Sequence, residues 1–144
     1  MTAVTTITEY PHGSAGYQEL VRLRDLHLRQ PIGLRLHDED RVGEAQHRHF
    51  ALIENEMIVG GLIANPEGSC GAKLRQMWIH PDLRGRGLGS ELLAGVEATL
   101  ASEGRSRFSL HSRKNAIGFY LKNGYRKVGD FIIEVGRPHL RMEK

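Results

Sequence analysis

The run Met77-Trp78-Ile79-His80-Pro81-Asp82-Leu83-Arg84-Gly85-Arg86-Gly87-Leu88-Gly89-Ser90 decides how this chain is read. It passes from an apolar strand through a His-Pro turn into a glycine-rich loop, then directly into a helix. Glycines let a loop turn tightly and bring backbone N–H groups against a ligand with no Cβ in the way. The unsatisfied N–H groups and dipole of the first helical turn point at the same place. Arg84 and Arg86 add two full positive charges, so the segment reads as a site for a phosphate or pyrophosphate. A P-loop would need Gly-Lys-Ser/Thr here, and no lysine is present. A dinucleotide fingerprint would need a third glycine where Ser90 stands, and an acidic residue about 20 positions on, which the chain around Arg107-Phe108-Ser109 does not supply.

Working outward, Gly87 to Glu103 carries Leu88, Leu92, Val96 and Leu100 at four-residue spacing, which predicts an amphipathic helix closed by Gly104. Before the loop, Lys73 to Ile79 reads as a strand. His47–Ile53 and Met57–Ala64 flank Glu54-Asn55-Glu56 as a hairpin, and Asn65–Ser69 reads as a loop. Gly60-Gly61 within the second of these strands marks a bulge or a close backbone approach. Upstream, Val4–Glu9 predicts a short strand. Ser14 is positioned as N-cap of a helix over about Ala15–Arg29, ended by Pro31 and Gly33. Downstream, Phe108–His111 predicts a strand, Asn115–Lys122 a helix, and Phe131–Val135 and Leu140–Met142 two final strands. This order fits an α+β fold in which helices flank a mixed, largely antiparallel sheet, with one parallel pair at the helical crossover. No repeat or linker interrupts it, and residues 1–144 are expected to form a single domain.

Composition bounds the function. Cys70 is the only cysteine, which leaves no intrachain disulfide and no Cys-rich zinc module. Glu9 and Pro11 stand where a secretion signal would be apolar, and no run of about 18 apolar residues could span a membrane, so a cytoplasmic protein is expected. Glycine supplies 17 of 144 residues, well above the usual share of about 7%. The net charge of +3 hides an imbalance. Met1–Gly71 holds six arginines, no lysine and ten acidic residues, whereas Ala72–Lys144 holds fourteen basic residues against seven acidic ones. The second half is therefore expected to meet an anionic ligand.

The pattern Arg84-x-x-Gly87-x-Gly89, preceded by Ile79-His80-Pro81, resembles the acyl-CoA-binding motif of the GNAT (GCN5-related N-acetyltransferase) superfamily. A second stretch, Asn115-Ala116-Ile117-Gly118-Phe119-Tyr120-Leu121-Lys122-Asn123-Gly124-Tyr125, is similar to that family's A-x-x-F-Y-x-x-x-G-Y/F helix. The resemblance covers Lys73–Tyr125 closely and the remainder by element order. It implies the GNAT fold and an acetyl-CoA-dependent N-acetyltransferase that moves an acetyl group to a primary amine by direct attack in a ternary complex. Carried over residue by residue, backbone groups of Met77 and Ile79 would bind the pantetheine arm and polarise the thioester carbonyl, with Trp78 between them in the cofactor site. The N–H groups of Arg84, Gly85, Arg86, Gly87, Leu88, Gly89 and Ser90 would hold the pyrophosphate. Asn115, Ala116 and Phe119 would line the other wall.

The resemblance also makes Tyr120 the residue that donates to the departing thiolate, as a phenol protonated at neutral pH can. His111, ending the strand that borders the opening, is a candidate base, with Glu134 and His139 as fallbacks. Where many members carry Asn three residues before the alanine, this chain has Arg113, which could meet a CoA phosphate or a substrate carboxylate. Acetyl-CoA is thus the expected cosubstrate and an unidentified amine the partner, with no membrane, no nucleic acid and no metal, in a monomer or homodimer. His47 and His49 share a strand face as a metal pair would, but no further ligand follows from spacing. Asp38-Glu39-Asp40 reads as a solvated face that would favour cationic amines if it lined the acceptor entrance. Two other classes remain compatible with the sequence: an acyl-CoA sensor that binds without turnover, and a nucleic-acid binder using the basic half. The second is disfavoured because only 6% of residues are aromatic and none interleaves with the loop arginines.

Overall fold

The computed structural model describes residues 4–144. Seven strands alternate with three α-helices: β1 (Thr5–Tyr10), α1 (Ala15–Arg24), β2 (Arg48–Glu54), β3 (Met57–Glu67), β4 (Gly71–Ile79), α2 (Leu88–Ser102), β5 (Arg107–Arg113), α3 (Ile117–Lys122), β6 (Arg126–Glu134) and β7 (Arg137–Glu143). They form one sheet in the order β1-β2-β3-β4-β5-β7-β6. Every pairing is antiparallel except β4 with β5. The parallel pair lies where α2 crosses over, as parallel neighbours require a long connection. Among the described residues, no helix is long and apolar enough to cross a membrane.

A core covers each face of the sheet. On one face Leu88, Leu92, Leu93, Val96 and Leu100 of α2 pack against Phe50, Leu62, Leu74, Phe108 and Met142. On the other, Leu20, Leu23 and Leu28 pack against Ala51 and Trp78. Alternation along β4 assigns its residues to these faces. Leu74 belongs to the α2 side, yet Met77 and Ile79 do too, while Trp78 packs on the α1 side. Strict alternation would give the reverse. The register against β3 shifts between Gly61 and Ile63, so β4 carries one extra residue, and Gln76 at this bulge has φ 55°. A bulge of one residue inverts every later side chain.

Helix α1 starts at the expected place, with the Ser14 hydroxyl accepting from the Tyr17 N–H at 3.2 Å. It does not run to Arg29 as a uniform α-helix. Residues Asp25–Arg29 widen into a π-helical turn, followed by a 3-10 turn over Gln30–Ile32 and a left-handed Gly33. The Asp25 carboxylate organises the exit, accepting from the Leu36 N–H at 2.6 Å, from Gln30 and from Arg35. Beneath α1, the nearly inaccessible Glu44 (1% exposed) accepts from the Tyr17 hydroxyl at 2.7 Å and from Arg24 at 2.8 Å. Burial alone would raise the Glu44 pKa, but Arg24 and Tyr17 together hold it below the ordinary carboxylate value.

Two further boundaries differ from the sequence expectation. Strand β3 continues through Pro66, opposite Ala72, whereas β2 ends opposite Ala64. Proline is tolerated because no strand pairs on its other side. Strand β6 begins at Arg126 rather than Phe131. It lies at the sheet edge, is mostly exposed, and shifts register between Val128 and Ile132. Nothing in its composition alternates, because β7 pairing rather than burial holds it. Gly60-Gly61 marks a close approach: a Cβ on Gly60 would fall 2.6 Å from the Ile79 Cδ1 and 3.0 Å from the Trp78 carbonyl oxygen.

Two outcomes follow for stability. Replacing Glu44 with Ala strands a buried guanidinium and costs about 3–5 kcal/mol in urea denaturation. Since Glu44 is more acidic folded than unfolded, its contribution is complete above the unfolded value of about 4.3 and fades as pH falls through the folded one; Glu44→Gln flattens that acid limb of the Tm-against-pH curve. Gly60→Ala forces the end of β4 outward and costs about 1–3 kcal/mol, measured the same way.

Candidate active site

The parallel pairing of β4 and β5 joins Gly71–Leu74 to Arg107–Leu110 and reaches no further. Beyond Leu74 the strands part, so Arg75–Ile79 have no strand partner on that side and His111–Arg113 pair only with β7. The bulge at Gln76 sits at the point of parting. A cleft of about 960 Å³ fills the fork, large enough for an elongated ligand.

One end of the cleft is the glycine loop. A 3-10 turn over Pro81–Leu83, with the His80 Nδ1 accepting from the Asp82 N–H at 3.1 Å, leads into it. Gly85 and Gly87 adopt φ 83° and 79°, which side-chain-bearing residues rarely adopt, and a Cβ on either would meet nothing within 4 Å. The loop backbone is therefore open to a ligand. Helix α2 starts at Gly87 with no side-chain cap, which leaves the N–H groups of its first turn, at Leu88, Gly89 and Ser90, without a helical partner. Uncapped donors of this kind fit a phosphate. Arg84 lines the cleft, but Arg86 does not: it reaches back to β2 and donates to Glu54 at 2.8 and 3.1 Å. Arg86 thus secures the loop to the sheet.

The middle of the cleft lies between β4 and α3. A 3-10 turn over Lys114–Ala116 starts α3 and presents Asn115 and Ala116 to the opening. Phe119 packs against α2, and a Cβ on Gly89 would stand 3.1 Å from its ring. The Tyr120 hydroxyl crosses the fork to the Met77 sulfur at 3.6 Å. Burial pushes the Tyr120 pKa up to about 12, against a smaller opposing pull from Arg113. The phenol is consequently neutral and a hydrogen-bond donor at any physiological pH.

The far side is formed by residues facing away from α2. Because Phe108 and Leu110 point into the α2 core, Ser109, His111 and Arg113 face the other way. His111 Nδ1 hydrogen-bonds to the Glu134 carboxylate, brought over from the end of β6. His139 is buried with its Nδ1 on the Arg137 carbonyl at 2.9 Å. Arg113 donates to the Leu28 carbonyl at 3.2 Å, and Arg29 to the Gln76 side chain at 3.2 Å.

The structure thus brings Met77, Trp78, Ile79, Arg84, Gly85, Gly87, Leu88, Gly89, Ser90, His111, Asn115, Ala116, Phe119 and Tyr120 around one cleft. Asp38-Glu39-Asp40 forms an exposed 3-10 turn that does not line it. His49 is buried with its Nε2 at 2.8 Å from the Glu44 carbonyl, within the α1 network rather than the cleft. Reading residues one at a time misses Arg29, Arg75 and Gln76. The alternation of Lys73 with Arg75, and of His111 with Arg113, was the available signal.

Comparison with known proteins identifies the family. Residues 36–144 match the family model described as an acetyltransferase (GNAT) domain. The uncharacterized protein YyaT of Bacillus subtilis (strain 168) is 32% identical over 107 residues, spanning 74% of this chain and 72% of its own. Among solved structures, an N-acetyltransferase candidate of Lactobacillus plantarum superposes with a TM-score of 0.85 at 22% identity, covering 97% of both chains. A GNAT family acetyltransferase of Elizabethkingia anophelis, solved with acetyl-CoA bound, gives 0.67 at 17% identity over 96% of this chain and 94% of that one. With its forked parallel pair, its uncapped glycine loop and these relatives, the chain belongs to the GNAT acetyltransferase family.

Proposed function

We propose that the protein transfers the acetyl group of acetyl-CoA to a primary amine by direct attack within a ternary complex. The observation that carries this reading is the single cleft that has uncapped N–H donors at one end, a neutral tyrosine at its middle and a histidine–carboxylate pair at the other side.

The loop residues Gly85 to Ser90 hold the pyrophosphate through backbone N–H groups, with Arg84 adding charge. Unpaired backbone groups of Met77 and Ile79 take the place of a missing neighbouring strand and align the pantetheine amides. Asn115, Ala116 and Phe119 close the opposite wall. Bound acetyl-CoA supplies the activated acyl carbon. His111, oriented by Glu134, accepts the proton that the attacking amine must lose as the N–C bond forms. Tyr120 donates to the sulfur as the C–S bond breaks. Its raised pKa makes it a poor source of a free proton but a dependable donor, which favours stabilisation of the departing thiolate in the transition state.

Residues 1–144 act as one catalytic unit in this reading. Tyr120→Phe is expected to lower kcat roughly a hundred-fold while leaving acetyl-CoA affinity nearly unchanged, measured by CoA release and by titration calorimetry; unaltered turnover removes Tyr120 from the mechanism. His111→Gln is expected to lower kcat roughly a hundred-fold with acetyl-CoA affinity nearly unchanged, and Glu134→Gln to lower it less, since Glu134 orients the base through its hydrogen bond to Nδ1. Acetyl-CoA binding without release of CoA toward any amine would favour the sensor reading instead.

A further inference from the structure

The face of the fork opposite α2 collects positive charge that the protein does not neutralise. Arg29, Arg75 and Arg113 all line this part of the cleft. Arg29 is only 7% exposed, and its recorded side-chain hydrogen bond goes to the neutral Gln76 amide. Arg113 is bonded to a backbone carbonyl. None of the ion pairs among the described residues includes any of the three.

Apart from the exposed Asp40, whose charge reaches Arg29, the carboxylates on this side are engaged elsewhere. Glu44 is held by Arg24, Glu67 by Arg141 and Ser109, and Glu134 by His111. Burial pulls the Arg29 pKa down, and the like charges of Arg24, Arg113 and Arg75 press in the same direction, with Asp40 offsetting part of it. A guanidinium nine-tenths buried without a carboxylate is costly, and folded proteins usually pair such a group. Planar guanidiniums match carboxylate and phosphate oxygens in geometry as well as charge. The CoA pyrophosphate already has its own donors in the glycine loop and in Arg84, whose charge reaches Arg113, so Arg29 and Arg75 are left for a second anion.

We propose that the acceptor is an amine that also carries an oxyanion, and that Arg29, Arg75 and Arg113 receive this oxyanion while the amine approaches His111. The inference rests on the acetyltransferase reading and deepens it. It also reverses what Asp38-Glu39-Asp40 suggested, because that turn stands outside the cleft and the lining near the base is cationic. Glu134 is the only acidic residue lining the cleft, and it serves His111.

The test uses matched acceptors: β-alanine against β-alaninamide for a carboxylate, phosphoethanolamine against ethanolamine for a phosphate, and spermidine as a cationic control. The anionic member of at least one pair is expected to have the higher kcat/KM, and the pair that discriminates identifies the oxyanion. Arg75→Gln and Arg29→Met should each lower that anionic-over-neutral ratio roughly ten- to hundred-fold. Arg29→Met should do so with little change in Tm, since the hydrogen bond it removes goes to a neutral amide and not to a carboxylate. A higher kcat/KM for spermidine or the neutral amines, or an unchanged ratio in both variants, overturns the proposal while leaving acetyl transfer intact.

A second measurement does not depend on turnover. Glutarate and inorganic phosphate are titrated calorimetrically into the protein saturated with CoA, so that the loop is already filled. Binding of either that weakens at least ten-fold in Arg29→Met supports the anion site even if no amine is acetylated, in which case acetyl transfer is the part that fails. Absence of binding by both anions overturns the site.

Discussion

The extra residue at Gln76 governs the rest of the molecule. A regular β4 would stay paired with β5 along its whole length and would send Met77 and Ile79 away from α2. The bulge does two things at one position: it inverts the facing of the following side chains, and it coincides with the end of pairing to β5. Met77 and Ile79 can then seal the α2 core while their backbone groups stay unpaired toward the fork. Trp78 turns the other way and completes the core under α1. The left-handed backbone of a glutamine is unfavourable by itself, and strain of this sort persists only where packing on both sides fixes it. Here both cores do so.

Much of this was legible in the chain, and the legible part has a common cause. The glycine loop, the spacing of Leu88, Leu92, Val96 and Leu100, and the Asn115–Tyr125 helix are local patterns, each read within a dozen residues. Helix α2, its loop and the hairpin before β4 therefore matched expectation closely. What was not legible depends on partners distant in sequence. The π-helical turn at Asp25–Arg29 reflects bonds to Leu36 and Arg35 as much as its own residues. Strand β6 exists because β7 offers an edge. The bulge had no signature within β4, since nothing in Arg75-Gln76-Met77 marks a left-handed position; its trace was Gly60-Gly61 on β3, beside which the register shifts. Pairings such as His111 with Glu134 and Tyr120 with Met77 require the folded sheet to bring β5, β6, α3 and β4 together.

The two faces of the fork divide the labour. On the α2 face, packing is largely apolar, its buried Glu97 accepting from the Tyr125 hydroxyl and Lys144, and the donors at the start of α2 stay unpaired. On the opposite face, side chains alternate out of the same strands but are charged. The acidic surplus of the first half and basic surplus of the second, so plain in the composition, do not map onto two separate surfaces. Two acids from the first half, Glu54 and Glu67, reach across to arginines of the second. Arg29, Arg75 and Arg113, which no carboxylate pairs, line the fork.

The tether between Arg86 and Glu54 has a consequence for how the loop meets its ligand. A glycine-rich segment in water samples many shapes, and a ligand that must first organise it loses affinity to that ordering. By anchoring the loop to β2, a strand that takes no part in the cleft, the protein settles most of that entropy during folding. The glycines keep the backbone unobstructed, while a single ion pair outside the site keeps it from wandering.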